Sequence, residues 1–393
     1  MELDRQYLFQ APTRVSFGFG TAATLGRELA ALGARHPLIV TDGGVIGAGL
    51  LDGPRASLAE AGLDATVFDN VEANPSVETV EAAIAAYQSN GCDALVAIGG
   101  GSPMDVAKAA GIVIANGGGI RDYEGKPELI AADLPPFVCI PTTCGTGAEV
   151  TPFAVITDHA RSWKMSIASP RAIPAVAIVD PELFLGLPPA LVAATGMDAL
   201  THAIESYTNR AAQPFADALD LQAIRLIGRS LRPAVANANR AAIADMAIAA
   251  TLAGMGFAQN RLGIVHAISH PVTSYVGTPH GVANAILLPY VLEYNAIGCG
   301  DRLIDVAVAL DGPTAGQVTP ETAIAAVRRL ATDVGIPATL GAVGVTEEHV
   351  ERIATDAMKS GNVQINPRRA TRDSILGVIR HALTGSREGD QAR

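Results

Sequence analysis

The chain is poor in cysteine, in aromatic residues and in basic charge. Its four cysteines, among 393 residues, show no paired spacing, so we expect free thiols in a reducing compartment. Lys and Arg number 28 against 39 Asp and Glu, and a net charge of −11 argues against nucleic acid or an anionic membrane as a partner. The N-terminus lacks the pattern of a signal peptide, and apolar runs are too short to span a membrane. These absences predict a cytoplasmic protein.

Apolar residues, in contrast, make up 49% of the chain, and its length suits two domains. Up to about residue 180, short apolar strands alternate with helical stretches, which indicates a parallel sheet covered on both faces. The predicted strands are 37–42, 65–71, 93–101, 135–143 and 176–180. Beyond them, long Ala/Leu/Ile-rich stretches have helical spacing. We therefore predict a doubly wound α/β domain over residues 1–183 and an all-helical domain over 184–393.

A run of three glycines, 99–101, ends one predicted strand and precedes a helix. Ser102 is the predicted N-cap, with Pro103 at the first helical position and Asp105 completing a capping box. Glycines at the carboxyl end of a strand, followed by a helix N-terminus, suit a phosphate group. The GxGxxG fingerprint is absent, and a tight capped turn without a ligand is an equally good interpretation of this motif.

Two further features fit a nucleotide. Asp42 ends a strand, where its carboxylate would accept hydrogen bonds from ribose hydroxyls and repel a 2′-phosphate; an aspartate in this place is also a common turn former. The segment PTTCGTGAEV, 141–150, brings hydroxyls and glycines to the same edge in a predicted strand-to-helix turn. Two such polar turns would hold a long ligand at two points.

Histidines concentrate in the predicted helical half. Asp198 and His202 are four residues apart and share a helix face, as do His266 and His270, and His280 follows in a Pro-His-Gly turn. Three imidazoles and one carboxylate suit Fe²⁺ or Zn²⁺, although a histidine in an apolar helix is often only a core residue. Four ligands fill the expected set, so we assign His270 to a proton relay or an orienting role.

At these residues the chain resembles the iron-dependent (group III) alcohol dehydrogenase family. The most specific stretches are GGGSPMDVAKA, PTTCGTGAEVT, ATGMDALTHAIESY and GIVHAISHPVTSYVGTPHGVANAILLPYVLEYN. The resemblance implies a dinucleotide-binding N-terminal domain, a helical C-terminal domain and a cleft between them. It implies Asp198, His202, His266 and His280 as metal ligands and places His270 near the nicotinamide. The cofactor contacts that it implies are Asp42, Asn74, Gly100, Gly101, Ser102, Thr142, Thr143, Thr146 and Lys164. It also implies NAD rather than NADP, because of the aspartate at position 42, and a homodimer or larger assembly.

We therefore expect an NAD-linked, metal-dependent alcohol dehydrogenase that interconverts a small primary alcohol and its aldehyde by hydride transfer. Phe153 and Phe257 would line an apolar pocket suited to an aliphatic substrate. Lys359 would favour an acidic substrate such as a semialdehyde if it reaches the cleft, but a solvated surface lysine is the simpler interpretation. A polyol-type reaction on the same scaffold is an alternative. A metal-dependent hydrolase is another, although it leaves Asp42 and both polar turns without a role.

Overall fold

The computed structural model describes residues 5–161, 163–312 and 316–386. These residues form two compact units. One unit is Ala11–Gly186, and the other comprises the described residues of Leu187–Arg393 together with those of Met1–Gln10.

The unit Ala11–Gly186 contains a six-stranded parallel sheet and a separate antiparallel hairpin. Its strands are β1 (Arg14–Phe17), β2 (Pro37–Val40), β3 (Thr66–Phe68), β4 (Ala94–Gly99), β5 (Phe137–Pro141), β6 (Phe153–Asp158), β7 (Trp163–Ala168) and β8 (Val176–Val179). Its helices are α1 (Leu25–Ala31), α2 (Gly43–Gly47), α3 (Asp52–Glu60), α4 (Val77–Ser89) and α5 (Gly101–Asn116). The sheet order is β1-β8-β5-β4-β2-β3, and β6 pairs with β7 as the hairpin.

Both faces of the parallel sheet are buried. On β4, Leu95 and Ala97 belong to one apolar cluster, whereas Val96 and Ile98 belong to the cluster on the opposite face. Successive side chains of a strand point to opposite faces, so a continuous apolar run fills two cores at once. The predicted doubly wound α/β fold is confirmed.

The described residues of the unit that contains Leu187–Arg393 form helices joined by loops and contain no β-strand. Its helices are α6 (Pro189–Thr208), α7 (Pro214–Asn237), α8 (Arg240–Asn260), α9 (Ile264–Val276), α10 (His280–Asp311), α11 (Pro320–Asp333), α12 (Glu347–Ala357) and α13 (Arg372–Thr384). By length and composition, α8 and α10 pass as membrane spans. Most of their apolar windows, 61% and 67%, lie buried inside the protein, which is what core helices show.

Close helix packing in this unit depends on glycine. A Cβ atom built on Gly281 would lie 2.4 Å from the carbonyl oxygen of Ala194, so α10 approaches the backbone of α6 at this point. A Cβ on Gly228 would lie 2.0 Å from the carbonyl oxygen of Leu310, which brings α7 equally close to the end of α10. A larger residue at either position would force the two backbones apart.

Three local predictions were wrong. Helix α5 begins at Gly101 with Gly100 as its N-cap and no side-chain cap, because Gly99, at φ +154°, turns the chain directly from strand to helix. Ser102 therefore lies inside the first turn. The segment after β5 forms only a 3₁₀ turn, Ala148–Val150, before the hairpin, and not a helix. His280 is the first residue of α10 rather than part of a turn.

Candidate metal and cofactor sites

Three helices carry the predicted metal ligands. Asp198 and His202 lie one turn apart on α6, His266 lies in the first turn of α9, and His280 begins α10. Asp198, His202 and His266 are buried, and one ligand atom from each lies within 4.8 Å of the other two. Helices α6 and α10 are in tight contact at Gly281, where an added Cβ would lie 3.3 Å from the Cβ of Asp198. This contact places His280 beside the group.

The ligand atoms face one another. Nε2 of His202 and Nε2 of His266 each lie 3.9 Å from Oδ1 of Asp198. The ring of His266 stacks on that of His202, with centroids 4.8 Å apart, and lies 5.3 Å from that of His280. Burial lowers the pKa of His266 to about 3, so its ring is neutral and keeps a lone pair for a metal.

A carboxylate fixes the orientation of His266. Glu205 is buried on α6, and its Oε2 lies 2.6 Å from Nδ1 of His266 while its Oε1 accepts a hydrogen bond from the backbone N–H of Val265 at 2.7 Å. With the proton on Nδ1, the lone pair of Nε2 points toward the ligand group. Carboxylate–histidine–metal arrangements of this kind orient the ring and make it a better ligand.

The set of ligand atoms fits a divalent cation. Nδ2 of Asn284 lies 2.7 Å from Oδ1 of Asp198 and 3.0 Å from Nε2 of both His266 and His280. An amide nitrogen carries only two hydrogens, yet three acceptor atoms converge on it. Three acceptors that converge on one positively polarised group form the arrangement that a cation requires, and their mixed N/O chemistry suits Fe²⁺ or Zn²⁺.

The other predicted residues of this unit divide into two groups. The ring of Phe257 lies 4.5 Å from that of His202, and the half-buried ring of His270 lies 5.2 Å from that of His280 and 6.0 Å from that of His266. Both therefore lie beside the ligand group. Lys359 instead has a side chain that is 56% exposed, and its Nζ donates to Asp356 at 2.6 Å, as a surface ion pair would.

The predicted cofactor residues gather at the carboxyl edge of the parallel sheet. Gly99 pairs with Pro141 across β4 and β5, and the backbone N–H of Thr142 donates to the carbonyl of Gly99 at 2.9 Å. A Cβ on Gly100 would lie 3.3 Å from Oγ1 of Thr143, and one on Gly101 would lie 3.1 Å from Cγ2 of Thr146. The glycine turn and the threonine turn thus pack against each other, with the N-terminus of α5 between them.

The hairpin supplies a further pair. Nζ of Lys164, on β7, donates to Oδ1 of Asn74 at 2.7 Å, and Asn74 has a left-handed backbone with φ +57°. Burial lowers the pKa of Lys164 to about 8 and raises that of Asp105 to about 7, and the attraction between these two charges opposes both shifts.

Asp42 forms the turn after β2, and one of its carboxylate oxygens lies near the glycine turn. Its Oδ1 caps α2, accepting hydrogen bonds from Gly44 N at 2.8 Å and Val45 N at 3.0 Å. Its Oδ2 points to the glycine turn, because a Cβ on Gly99 would lie 3.3 Å from it. The turn-forming role is therefore real, and one oxygen still faces the edge where the polar turns meet.

Two residues of the metal group were missed in the sequence. Glu205 lies seven residues after Asp198 and three after His202, which is the spacing of one helix face. Asn284 lies four residues after His280 on the same principle. The helical spacing that identified the histidines would have found both residues.

A doubly wound sheet with a glycine turn at its carboxyl edge, together with a helical unit that holds a His/Asp cluster, defines a metal-dependent, nucleotide-linked oxidoreductase. Two family models agree with this class: "Iron-containing alcohol dehydrogenase" matches residues 12–181, and "Fe-containing alcohol dehydrogenase family, C-terminal" matches residues 192–383. The chain belongs to the iron-containing alcohol dehydrogenase family.

Relatives with known activities support the same conclusion. The chain is 41% identical over 385 residues to 1,3-propanediol dehydrogenase of Klebsiella pneumoniae, covering 96% of this chain and 99% of the relative. It is 41% identical over 371 residues to lactaldehyde reductase of Escherichia coli K12, covering 93% and 97%. A crystal structure of 1,3-propanediol oxidoreductase matches with a TM-score of 0.94 at 41% identity, covering 96% of this chain and all of that one. The protein is a metal-dependent oxidoreductase of alcohols and aldehydes, and its family uses NAD and iron.

Proposed function

We propose that the protein interconverts a small primary alcohol and its aldehyde with NAD(H), using Fe²⁺ held by Asp198, His202, His266 and His280. The observation that carries this proposal is the convergence of ligand atoms from three helices on one point. The burial of Asp198, His202 and His266 supports it further, because a buried carboxylate is costly without a positive partner.

A divalent cation bound there supplies Lewis acidity, which lowers the pKa of an alcohol or polarises an aldehyde carbonyl for hydride transfer. The residues of the chain set the conditions for that chemistry. Glu205 keeps the proton of His266 on Nδ1, and the ring of Phe257 packs beside His202 and excludes water. The apolar surroundings strengthen electrostatic interactions at the site.

His270 is proposed as the proton relay. Its ring adjoins those of His266 and His280 but is half-buried, whereas His266 is 1% exposed. A histidine with partial access to solvent transfers protons near neutral pH. Its role is therefore to exchange the substrate hydroxyl proton with water.

NAD is the proposed cofactor, in preference to NADP. The glycine and threonine turns and the N-terminus of α5 would hold its pyrophosphate. Oδ2 of Asp42 would accept hydrogen bonds from ribose hydroxyls and repel a 2′-phosphate. Lys164 and Asn74, which are already hydrogen-bonded to each other, would contact the nicotinamide half.

Phe257, whose ring lies beside that of His202, would line the apolar part of the substrate pocket, in keeping with a small aliphatic alcohol, and the role of Phe153, at the start of β6, stays a prediction from the sequence. Lys359 lies in a surface ion pair with Asp356, so we do not assign it to the substrate. We further propose a cytoplasmic homodimer or larger homo-oligomer, with no nucleic acid or membrane partner. The acidic net charge of −11 supports the exclusion of polyanionic partners.

A substrate panel tests the reaction. The metal-depleted enzyme is loaded with Fe²⁺ or Zn²⁺, and each form is assayed with short aldehydes and alcohols and with NAD(H) and NADP(H). We expect activity on C2–C4 aldehydes with NADH. A preference for NADPH would refute the role of Asp42, and the absence of NADH binding by fluorescence titration would favour a hydrolase.

Histidine substitutions test the residue roles. We expect His266→Ala and His280→Ala to lose bound metal while the protein stays folded, as circular dichroism would show. We expect His270→Ala to keep its metal but to lose most of its activity at neutral pH. His349→Ala, on α12, is the matched control and should change neither. Full metal retention in His266→Ala would contradict the ligand assignment.

A further inference from the structure

Asn284 touches a ligand atom on each of the three helices that carry the metal site. It is fully buried on α10, one turn after His280. Its Nδ2 lies within 3.0 Å of Oδ1 of Asp198 and of Nε2 of His266 and His280.

These three acceptor atoms differ in the lone pairs that they still have for a hydrogen bond once a cation is bound. Each imidazole Nε2 of His266 and His280 has a single lone pair, and a metal uses it. The carboxylate oxygen of Asp198 has further lone pairs, so it accepts a hydrogen bond while it binds a metal. It is also the nearest of the three acceptors to Nδ2, at 2.7 Å.

The amide oxygen of Asn284 shows that an asparagine at this position lowers the stability of the fold. Oδ1 of Asn284 is buried and has no hydrogen-bond partner among the described residues. A buried acceptor left unpaired costs about 1–3 kcal/mol, and asparagine is also a poor residue for a helix interior. Neither stability nor helix formation accounts for an asparagine here, since an apolar residue would avoid both costs.

We propose that Asn284 is a positioning residue of the metal site, whose amide N–H holds the carboxylate of Asp198 in its binding orientation. Asp198 is the only anion in the proposed ligand set, so fixing it contributes directly to affinity for a divalent cation. This inference rests on the proposed metal site, and it assigns to Asn284 no contact with substrate. Residues that orient ligands in this way typically change metal affinity by about 10–100-fold when they are replaced.

Two substitutions of different size test the proposal. Asn284→Leu keeps the branched shape and the number of side-chain heavy atoms but removes the donor, and Asn284→Ala opens a polar space in which water can donate to Asp198. We expect the dissociation constant for Zn²⁺ or Co²⁺ to rise about 10–100-fold in the leucine variant and less in the alanine variant. If Asn284 only fills space, the order reverses, because alanine leaves a cavity and leucine does not.

The measurement is competition between the metal-depleted protein and a chromophoric chelator, with no substrate present. The visible spectrum of the Co²⁺ form adds a second readout, and we expect its bands to shift in the leucine variant because the carboxylate is no longer fixed. The control is Tyr290→Phe on the same helix, which removes the hydrogen bond to the carbonyl oxygen of Ala338, outside the ligand group. It should lower the melting temperature without changing metal affinity.

The outcomes separate the two proposals. A wild-type protein that binds no stoichiometric metal refutes the metal site itself. Wild-type binding together with an unchanged dissociation constant in a folded Asn284→Leu variant refutes the role of Asn284 alone. If the leucine variant does not fold, Asn284→Val takes its place, and a folded valine variant with wild-type affinity and an unchanged Co²⁺ spectrum refutes the role equally.

Discussion

Replacing Lys108 with methionine should unfold the threonine turn that the cofactor site requires. Lys108 is fully buried on α5, and its Nζ donates to the carbonyl oxygens of Ala148 at 2.6 Å, Thr151 at 2.8 Å and Phe153 at 3.0 Å. These bonds fasten the segment between β5 and β6 to the helix. Methionine has similar volume but no donor, so all three carbonyls lose the Nζ donor, and the carbonyl of Ala148 keeps only longer bonds from Thr151 at 3.4 Å.

The expected loss of stability follows from those three carbonyl acceptors. Each buried carbonyl that loses its donor costs about 1–3 kcal/mol. Some relaxation toward water will recover part of the total, so we expect a loss of about 3–5 kcal/mol, which is typical when one partner of a buried charged group is removed. For a unit of this size that lowers the melting midpoint by about 10 °C. We also expect weaker NADH binding, because the turn bears Thr142 and Thr146.

The only tryptophan of the chain makes the assay specific. Trp163 begins β7, in the same unit as Lys108, so its fluorescence reports the unfolding of that unit in urea. Lys126→Met, at an exposed lysine of the same unit, is the control and should change the midpoint little. A Lys108→Met protein whose free energy of unfolding lies within about 1 kcal/mol of wild type would refute this reasoning.

Three other perturbations have definite expected results. Glu205→Gln removes the negative charge and leaves one acceptor oxygen for two donors, the N–H of Val265 and the Nδ1–H of His266, so metal affinity should fall about 10–100-fold by chelator competition; an unchanged affinity would contradict the orienting role. Because the pKa of Asp105 is raised to about 7, the folded protein binds more protons than the unfolded chain between about pH 4 and 7, and this contribution to stability falls as the pH rises through that window. Asp105→Asn should therefore be more stable relative to wild type at pH 8 than at pH 5 in urea titrations, and equal differences at the two pH values would refute the shift. Gly228→Ala should destabilise the helical unit by about 1–3 kcal/mol through backbone overlap, whereas Gly377→Ala, with open space around it, should be neutral or slightly stabilising in thermal melts; similar melting points for both would refute the packing argument.

The sequence predicted most of the fold because periodicity is a local signal. The predicted strands 93–101 and 135–143 appear as β4 and β5 with small changes at their ends. The hairpin β6–β7 was not predicted, since its strands interrupt the usual strand–helix alternation and only their pairing with each other defines them. Strand β1 was also missed, because four half-exposed residues carry no clear pattern until β8 pairs with them.

The residues of the candidate site were predicted only in part. Spacing placed Asp198, His202, His266 and His270 on common helix faces, and the structure brings them together with His280. The capping interpretation of Ser102 was wrong because a backbone angle at Gly99 decides where the helix begins, and sequence patterns do not contain that angle. Lys359 was left open because sequence alone does not show that Asp356 pairs with it.

The distribution of the candidate ligands over α6, α9 and α10 makes a bound cation a reversible crosslink of the helical unit. Unfolding would have to release it, so the free energy of binding adds to the free energy of unfolding. At a free metal concentration about 1,000 times the dissociation constant, this contribution is about 4 kcal/mol. Metal supply would then govern how long the helical unit persists as well as how fast the enzyme turns over, and scarcity would shorten the protein's lifetime before any substrate is present.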